Sequence, residues 1–217
     1  MSTLDELNGS DQAGFVAALG GIYEHSPWIP ERAWAGRPFA TVAALKLALQ
    51  TAVAQASVDE QLGLIRAHPE LAGKAAIAGQ LTAESMHEQA KSGLNLCSAD
   101  EYATLHKLNA DYNAKFGFPF ILAVKGPDGN GLTRQAIIDT FTRRLKQQRG
   151  DEIAECLRQI HRIAELRLND LLGVRQLFGP TVMQWTEQIG AWSDAEDGLT
   201  CAYMTPVHRR TAAQIAA

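Results

Sequence analysis

Much of what usually carries chemistry or compartment is missing from this chain. Its 217 residues include only 3 cysteines (Cys97, Cys156 and Cys201), scattered, odd in number and without a C-x-x-C pair. That excludes a zinc knuckle and gives no disulfide framework. Apolar residues make up 46% of the chain, enough for a sizeable core. No unbroken apolar run approaches the roughly 20 residues that span a bilayer. Positive charge is not in excess: the net charge is −4 and the pI near 5.9. A nucleic-acid footprint would need a basic face. The local "RRLKQQR" (143–149) is basic, but the acidic "DEIAE" follows at once, so it reads as a solvated helix end. The polar, acidic start "MSTLDELNGS" is no secretory signal and the final "QIAA" no peroxisomal address. With 18 glycines and 8 prolines, the chain is neither collagen-like nor of disordered composition. The expectation is a reduced, soluble, cytoplasmic protein of one domain or one domain plus an appendage, with no nucleic acid or membrane as partner.

Catalytic signatures are equally sparse. There is no G-x-S-x-G, and "HEQA" (87–90) lacks the second histidine of a zinc-protease helix. "GPDGNG" (126–131) has no Lys-Ser/Thr after it and reads as a turn rather than a phosphate loop. No metal is expected.

What is present is helical period. "DQAGFVAALGGIYEH" (11–25) spaces Phe15, Leu19, Ile22 and Tyr23 as one helix face. "TVAALKLALQTAVAQA" (41–56) offers Val42, Leu45, Leu47 and Leu49 as core candidates. Ser57 with Glu60, and Ser98 with Glu101, read as capping boxes opening two further helices. Another helix is expected to begin near Thr82. Gly117 is placed to stop the helix that starts after Ser98. "GFPFILAVKG" (117–126) breaks the pattern: it is aromatic and aperiodic, a short extended segment outside any real sheet. Two long helices, about 133–148 and 151–171, complete an all-α body ending near Leu172. The second carries Ile153, Leu157, Ile160, Ala164, Leu168 and Leu171 at helical spacing.

Three constellations could carry chemistry. In "RAHPELAGK" (66–74) the proline after His68 disfavours an α conformation for His68, so a helix ends there and aims the imidazole from a stiff exit. Histidine titrates near neutrality and suits proton transfer, but a half-buried structural histidine fits the same residues. In "LTAESMHEQAKSG" (81–93), Ser85, Glu88 and Gln89 share a helix face and could line a polar pocket or merely face water. Arg167 in "IAELRL" (163–168) sits among apolar positions. Burying that charge is costly without a partner; its stem could instead lie over apolar surface with the head in water.

Several of these stretches together resemble a known family. "IYEHSPWIPERAWAGRPFATVAAL" (22–45), "AHPELAGK" (67–74), "SMHEQAKSGL" (85–94), "LNADYNAKFGFPFILAVKG" (108–126) and "IAELRL" (163–168) are similar to OHCU decarboxylases. That family acts on 2-oxo-4-hydroxy-4-carboxy-5-ureidoimidazoline (OHCU), a late intermediate of urate oxidation. The resemblance spans roughly residues 10 to 172. It implies an all-α fold, a homodimer, no cofactor, and decarboxylation of OHCU to (S)-allantoin. It also implies a catalytic histidine at His68 and a catalytic glutamate at Glu88, with a substrate-binding arginine at Arg167. Further pocket positions are Pro69, Ser85, Gln89 and the backbone of Phe118, Pro119, Phe120 and Ile121.

The boundary is placed between residues 1–172, the decarboxylase-like domain, and 173–217. The later part, "QIGAWSDAEDGLTCAYMTPVHRRTAAQIAA" (188–217), resembles the beginning of allantoate amidohydrolase. Thr205 reads there as an N-cap with Pro206 at the first helical position. The pattern breaks off at Ala217 in mid-helix, as expected of the front part of a bifunctional protein. A tail packed on the body through Trp185, Trp192 and Tyr203 is the alternative. A metal-dependent amide hydrolase and a noncatalytic helical module are the rival classes of function.

Overall fold

The structure, a computed structural model, describes residues 3–71, 85, 97–125, 131–174 and 205–209. The chain divides into two compact units, 1–174 and 175–217. In the first unit the described helices are α1 (Leu4–Gly9), α2 (Gln12–Ala18), α3 (Trp28–Ala33) with a 3-10 turn at Trp34–Gly36, α4 (Val42–Ala54), α5 (Val58–Ala67), α6 (Ala99–Phe116), α7 (Arg134–Arg144) and α8 (Arg149–Leu172). No strand occurs among the described residues, only an isolated antiparallel bridge from Lys125 to Gly131. The fold is all-α. None of these helices is long and apolar enough to cross a membrane.

Local chemistry sets the helix ends where the sequence marks them. Ser57 accepts from the Glu60 amide while the Glu60 carboxylate accepts from the Ser57 amide at 2.9 Å, so two donors that a helix start leaves open are satisfied reciprocally. Ser98 and Glu101 repeat the arrangement at α6. Thr3 and Glu6 form a third such box, at α1. Gly117 and Gly173 end α6 and α8 with φ of 77° and 65°, a left-handed conformation that costs glycine nothing.

Three readings of the sequence are corrected. The stretch 11–25 is not one helix: α2 stops at Ala18, and the Gly20–Gly21 pair lets turns follow. Phe15, Leu19, Ile22 and Tyr23 are nevertheless all buried, because the turns fold back on the same core. On α4 the buried stripe is Leu45, Leu49, Ala52 and Val53, whereas Leu47, two positions out of phase, is 64% exposed. The third correction concerns the basic run, since Arg144 is not solvated but wholly buried. It pairs with Glu152 on α8, itself 0% exposed, and the partner lies within the acidic stretch taken to solvate it.

The core centres on aromatic rings at the join of α6, α7 and the aperiodic segment. Tyr112 stands edge-on to Phe118, Phe120 and Phe141, with centroids 5.4 to 6.1 Å apart. Phe120 stacks on Phe141 at 3.8 Å, and the Arg144 guanidinium covers it at 4.4 Å. The segment after Gly117 is extended, as the sequence suggests, and its polar backbone is satisfied from helices. The Ile121 carbonyl accepts from Arg144 at 2.6 Å, and the Ala123 amide donates to Gln159 at 3.0 Å. Val124 accepts from the Leu132 amide at 2.7 Å, closing the ends of the expected glycine-rich turn, whose residues 126–130 lie outside the described ones.

In the second unit the described residues are few. The Thr205 hydroxyl accepts from the His208 amide at 3.2 Å, with Pro206 opening the helical turn, as the sequence indicates. Trp185, Trp192 and Tyr203 lie outside the described residues.

Candidate active site

His68 caps α5. Its backbone is extended, φ −78° and ψ 139°, the conformation that Pro69 imposes on the residue before it. The ring lies back along the helix it ends, and Nδ1 bonds the Leu64 carbonyl at 2.9 Å. A carbonyl only accepts, so Nδ1 carries the proton, and a neutral ring keeps Nε2 as a lone-pair acceptor. His68 is 6% exposed, and burial pushes its pKa down to about 4. The Leu64 carbonyl and the Glu24 carboxylate push it up, Arg167 and His25 push it down, and desolvation outweighs them all. At neutral pH the imidazole is therefore an uncharged proton acceptor.

That shift has a consequence for folding. The unfolded chain binds a proton at this histidine near pH 6.5, the folded chain only near 4. Stability from this group is complete above about pH 6.5 and declines as the pH falls to about 4. Urea midpoints at pH 7 and pH 5 should differ less in a His68→Asn variant than in the parent chain; an identical difference would remove this reading of the ring.

Arg167 projects from α8, where Ile160, Ile163, Ala164 and Arg167 form one buried stripe. The partner that its burial demands comes from the turn after α2. Arg167 Nη1 donates to Glu24 Oε2 at 2.8 Å and to the Gly21 carbonyl at 3.1 Å, while Nη2 donates to Ser85 Oγ at 3.1 Å. Ser85 in turn donates to the Glu24 carboxylate, at 3.1 and 3.2 Å from its two oxygens. Glu24, Ser85 and Arg167 are 3%, 4% and 7% exposed, so their mutual hydrogen bonds act in a medium that strengthens them.

These groups border one cavity. His68, Pro69, Leu71, Ser85, Phe120, Ile121, Leu122, Val124, Ile163 and Arg167 line an empty volume of about 360 Å³, part of it open to solvent. Among the described residues the wall is apolar apart from an imidazole acceptor, a hydroxyl and a guanidinium, a common composition for a small-molecule site. The Phe120–Ile121 wall is fixed from behind by Phe141, Arg144 and Glu152.

Of the residues singled out from sequence, His68, Pro69, Ser85, Arg167, Phe120 and Ile121 meet at this cavity. Phe118 and Pro119 are buried but not in its wall, and Phe118 belongs to the aromatic core. Glu88 and Gln89 lie outside the described residues. Sequence reasoning missed Glu24, although the cost of burying Arg167 already called for a carboxylate somewhere. It missed the Arg144–Glu152 buttress as well.

Comparison with known proteins agrees in extent and kind with the decarboxylase resemblance of residues 10–172. The family described as OHCU decarboxylase matches residues 8–169. The chain is 42% identical over 166 residues to the 2-oxo-4-hydroxy-4-carboxy-5-ureidoimidazoline decarboxylase of Haloferax volcanii, covering 76% of this chain and 94% of that protein. It is 38% identical over 190 residues to the uric acid degradation bifunctional protein PucL of Bacillus subtilis, covering 88% of this chain and 36% of that protein. Among solved structures it resembles that of an (S)-allantoin synthase with a TM-score of 0.61 and 27% identity, over 79% of this chain and 54% of that one. An OHCU decarboxylase solved in the presence of (S)-allantoin shares the fold, with a TM-score of 0.55 and 19% identity, over 75% of this chain and 99% of that one.

Proposed function

The chain belongs to the OHCU decarboxylase family, and on that premise we propose that the His68–Ser85–Arg167 cavity is where OHCU loses carbon dioxide to give (S)-allantoin. The protein is then a carboxy-lyase of urate degradation. The observation that carries the reading is the meeting of three polar groups, from α5, α8 and the region around Ser85, at one apolar hollow.

The substrate explains why so few groups suffice. Its carboxylate sits on C4, next to the C5=N bond. As the C4–carboxylate bond breaks, its electron pair forms a C4=C5 double bond and the C=N pair moves to nitrogen, which takes a proton. The ring is its own electron sink, the task a cofactor performs elsewhere. The resulting enol loses the C4 hydroxyl proton as C5 gains one, giving allantoin, and the face that receives the proton fixes the hand.

In this scheme His68 Nε2 accepts the C4 hydroxyl proton and returns a proton toward C5. Glu88 is its acid–base partner. Arg167 binds a carbonyl or carboxylate oxygen, and Ser85, Gln89, Pro69 and the Phe120–Ile121 backbone hold the ring and ureido amides. The Glu24 carboxylate pushes the proton affinity of His68 up, but burial outweighs it. The ring therefore enters the reaction as a base.

The reading extends to a cytoplasmic homodimer using no cofactor. It also keeps 173–217 as the start of an allantoate-hydrolysing part. Support for the boundary is the division into units at residue 174. Support for an extended architecture is the PucL match, whose 190 residues cannot all precede residue 172. The test of the main reaction is carbon dioxide release from freshly oxidised urate. One equivalent per OHCU, faster than in buffer and unchanged by a chelator, is expected; release at the buffer rate removes the proposal.

A further inference from the structure

The turn after α2 that supplies Glu24 has a second anchor on α8. Two consecutive side chains reach that helix: Glu24 meets Arg167 at 2.8 Å, and the Tyr23 hydroxyl shares a hydrogen bond of 3.0 Å with His161 Nδ1. The Tyr23 and His161 rings meet edge-on, with centroids 5.9 Å apart at 80°. Six positions apart on α8, His161 and Arg167 stand about 120° apart around its axis and about 9 Å along it. Tyr23 and Glu24 therefore clasp the helix from two flanks. Tyr23 is 3% exposed, and the small hollow around the pair is lined by Ile22, Leu49, Ala164 and Leu168. Neither Tyr23 nor His161 lines the cavity of His68. Burial pushes the Tyr23 phenol up and the His161 imidazole down, so both groups are uncharged at neutral pH.

Resting on the decarboxylase reading, we propose that Tyr23 and His161 are positioning residues that seat this turn on α8 and thereby place the Arg167 guanidinium in the cavity wall. Stiffness is the reason. An arginine side chain has many soft torsions, so Arg167 follows its carboxylate wherever the turn carries it. Bonds inside the turn, from the Ile22 amide to Leu19 at 3.0 Å and from the Ser26 amide to Tyr23 at 3.2 Å, fix its shape but not its seat. A buried tyrosine is rigid, with few torsions, and its hydroxyl meets α8 through one directed contact. That contact sets where Glu24 stands against the helix, and Glu24 in turn sets where Arg167 points. Without the hydroxyl the ring keeps its apolar packing, which has no preferred direction, and the turn loses its register on α8.

The experiment is a double-mutant cycle of Tyr23→Phe and Arg167→Lys, read in kcat/KM for OHCU and in the Kd of (S)-allantoin. Tyr23→Phe alone is expected to lower kcat/KM by about 10- to 100-fold, the size of a small misplacement made away from the chemistry, and to weaken (S)-allantoin binding. In the Arg167→Lys background the same change should cost less than about twofold, because the guanidinium it places is gone. His161→Leu should repeat the loss, while His161→Asn, whose amide reaches the position of Nδ1, should recover most of it. Losses that multiply across the cycle, a Tyr23→Phe enzyme with parental kcat/KM and Kd, or a His161→Asn enzyme no better than His161→Leu each overturn the proposal. If Tyr23→Phe does not fold by circular dichroism, His161→Leu replaces it in the same cycle; if neither folds, the role is structural and the proposal falls. A parent chain that binds (S)-allantoin but does not turn over OHCU counts against the decarboxylase reading alone, and the cycle is then decided by affinity; a parent that does neither overturns both.

Discussion

Replacing His68 with alanine is expected to lower kcat for OHCU by about 10²–10⁴-fold, the usual contribution of a positioned acid–base group. The loss should fall on kcat more than on KM, because the ring makes few contacts that a bound substrate would feel equally before and during reaction. Among the described residues the ring's hydrogen bond is that of Nδ1 to the Leu64 carbonyl, which orients the ring rather than binding substrate. His68→Asn separates these roles. An amide can donate to the same carbonyl but cannot shuttle a proton, so the variant should keep affinity for (S)-allantoin while losing turnover. Stopped-flow decay of OHCU absorbance, with allantoin affinity by calorimetry, measures both. Turnover within a few-fold of the parent in either variant would remove His68 from the chemistry.

Glu152→Ala is expected to destabilise the fold by about 3–5 kcal/mol, since it strands the buried Arg144 charge. That is a large part of the roughly 5–15 kcal/mol that holds a domain of ordinary stability together. At this chain length each kcal/mol lowers the midpoint by about 2–4 °C, so thermal unfolding should shift by about 10 °C. Three groups depend on the one carboxylate: Arg144 donates to Oε1 at 2.8 Å through Nε, and Tyr112 and Cys156 lie against the same oxygen. The paired replacement Arg144→Met with Glu152→Leu should recover much of the loss, because a matched apolar pair carries no desolvation penalty. A single Glu152→Ala variant melting within about 2 °C of the parent would show that the pair does not hold the core. Arg144 also fixes the Ile121 carbonyl, so folded single variants should show a raised KM.

The helices were legible because their signals are local. Ser57 with Glu60, Ser98 with Glu101, and Gly117 each act within a few residues, and the structure uses them as the sequence suggests. The break at Gly20–Gly21 was hidden, since turns that return to the same core preserve a helical spacing of buried residues. Leu47 misled for a related reason: in an alanine-rich helix several apolar stripes compete, and only packing selects one. His68 and Arg167 stood out because a proline and an apolar context mark them within their own segments. Glu24 and the Arg144–Glu152 pair did not, because each buried ion pair is defined by a partner on another element. Glu24 and Arg167 are 143 positions apart, and neither position announces the other.

The central claim is that one hand of allantoin is made at the cavity holding His68 and Arg167, and the most direct measurement is circular dichroism during allantoin formation from freshly oxidised urate. The uncatalysed reaction yields both mirror forms and no net signal. The parent chain should produce a growing signal of the (S) form, while His68→Ala should leave the solution optically silent through the same interval. A silent parent chain, or the parental signal at the parental rate from His68→Ala, would contradict the claim.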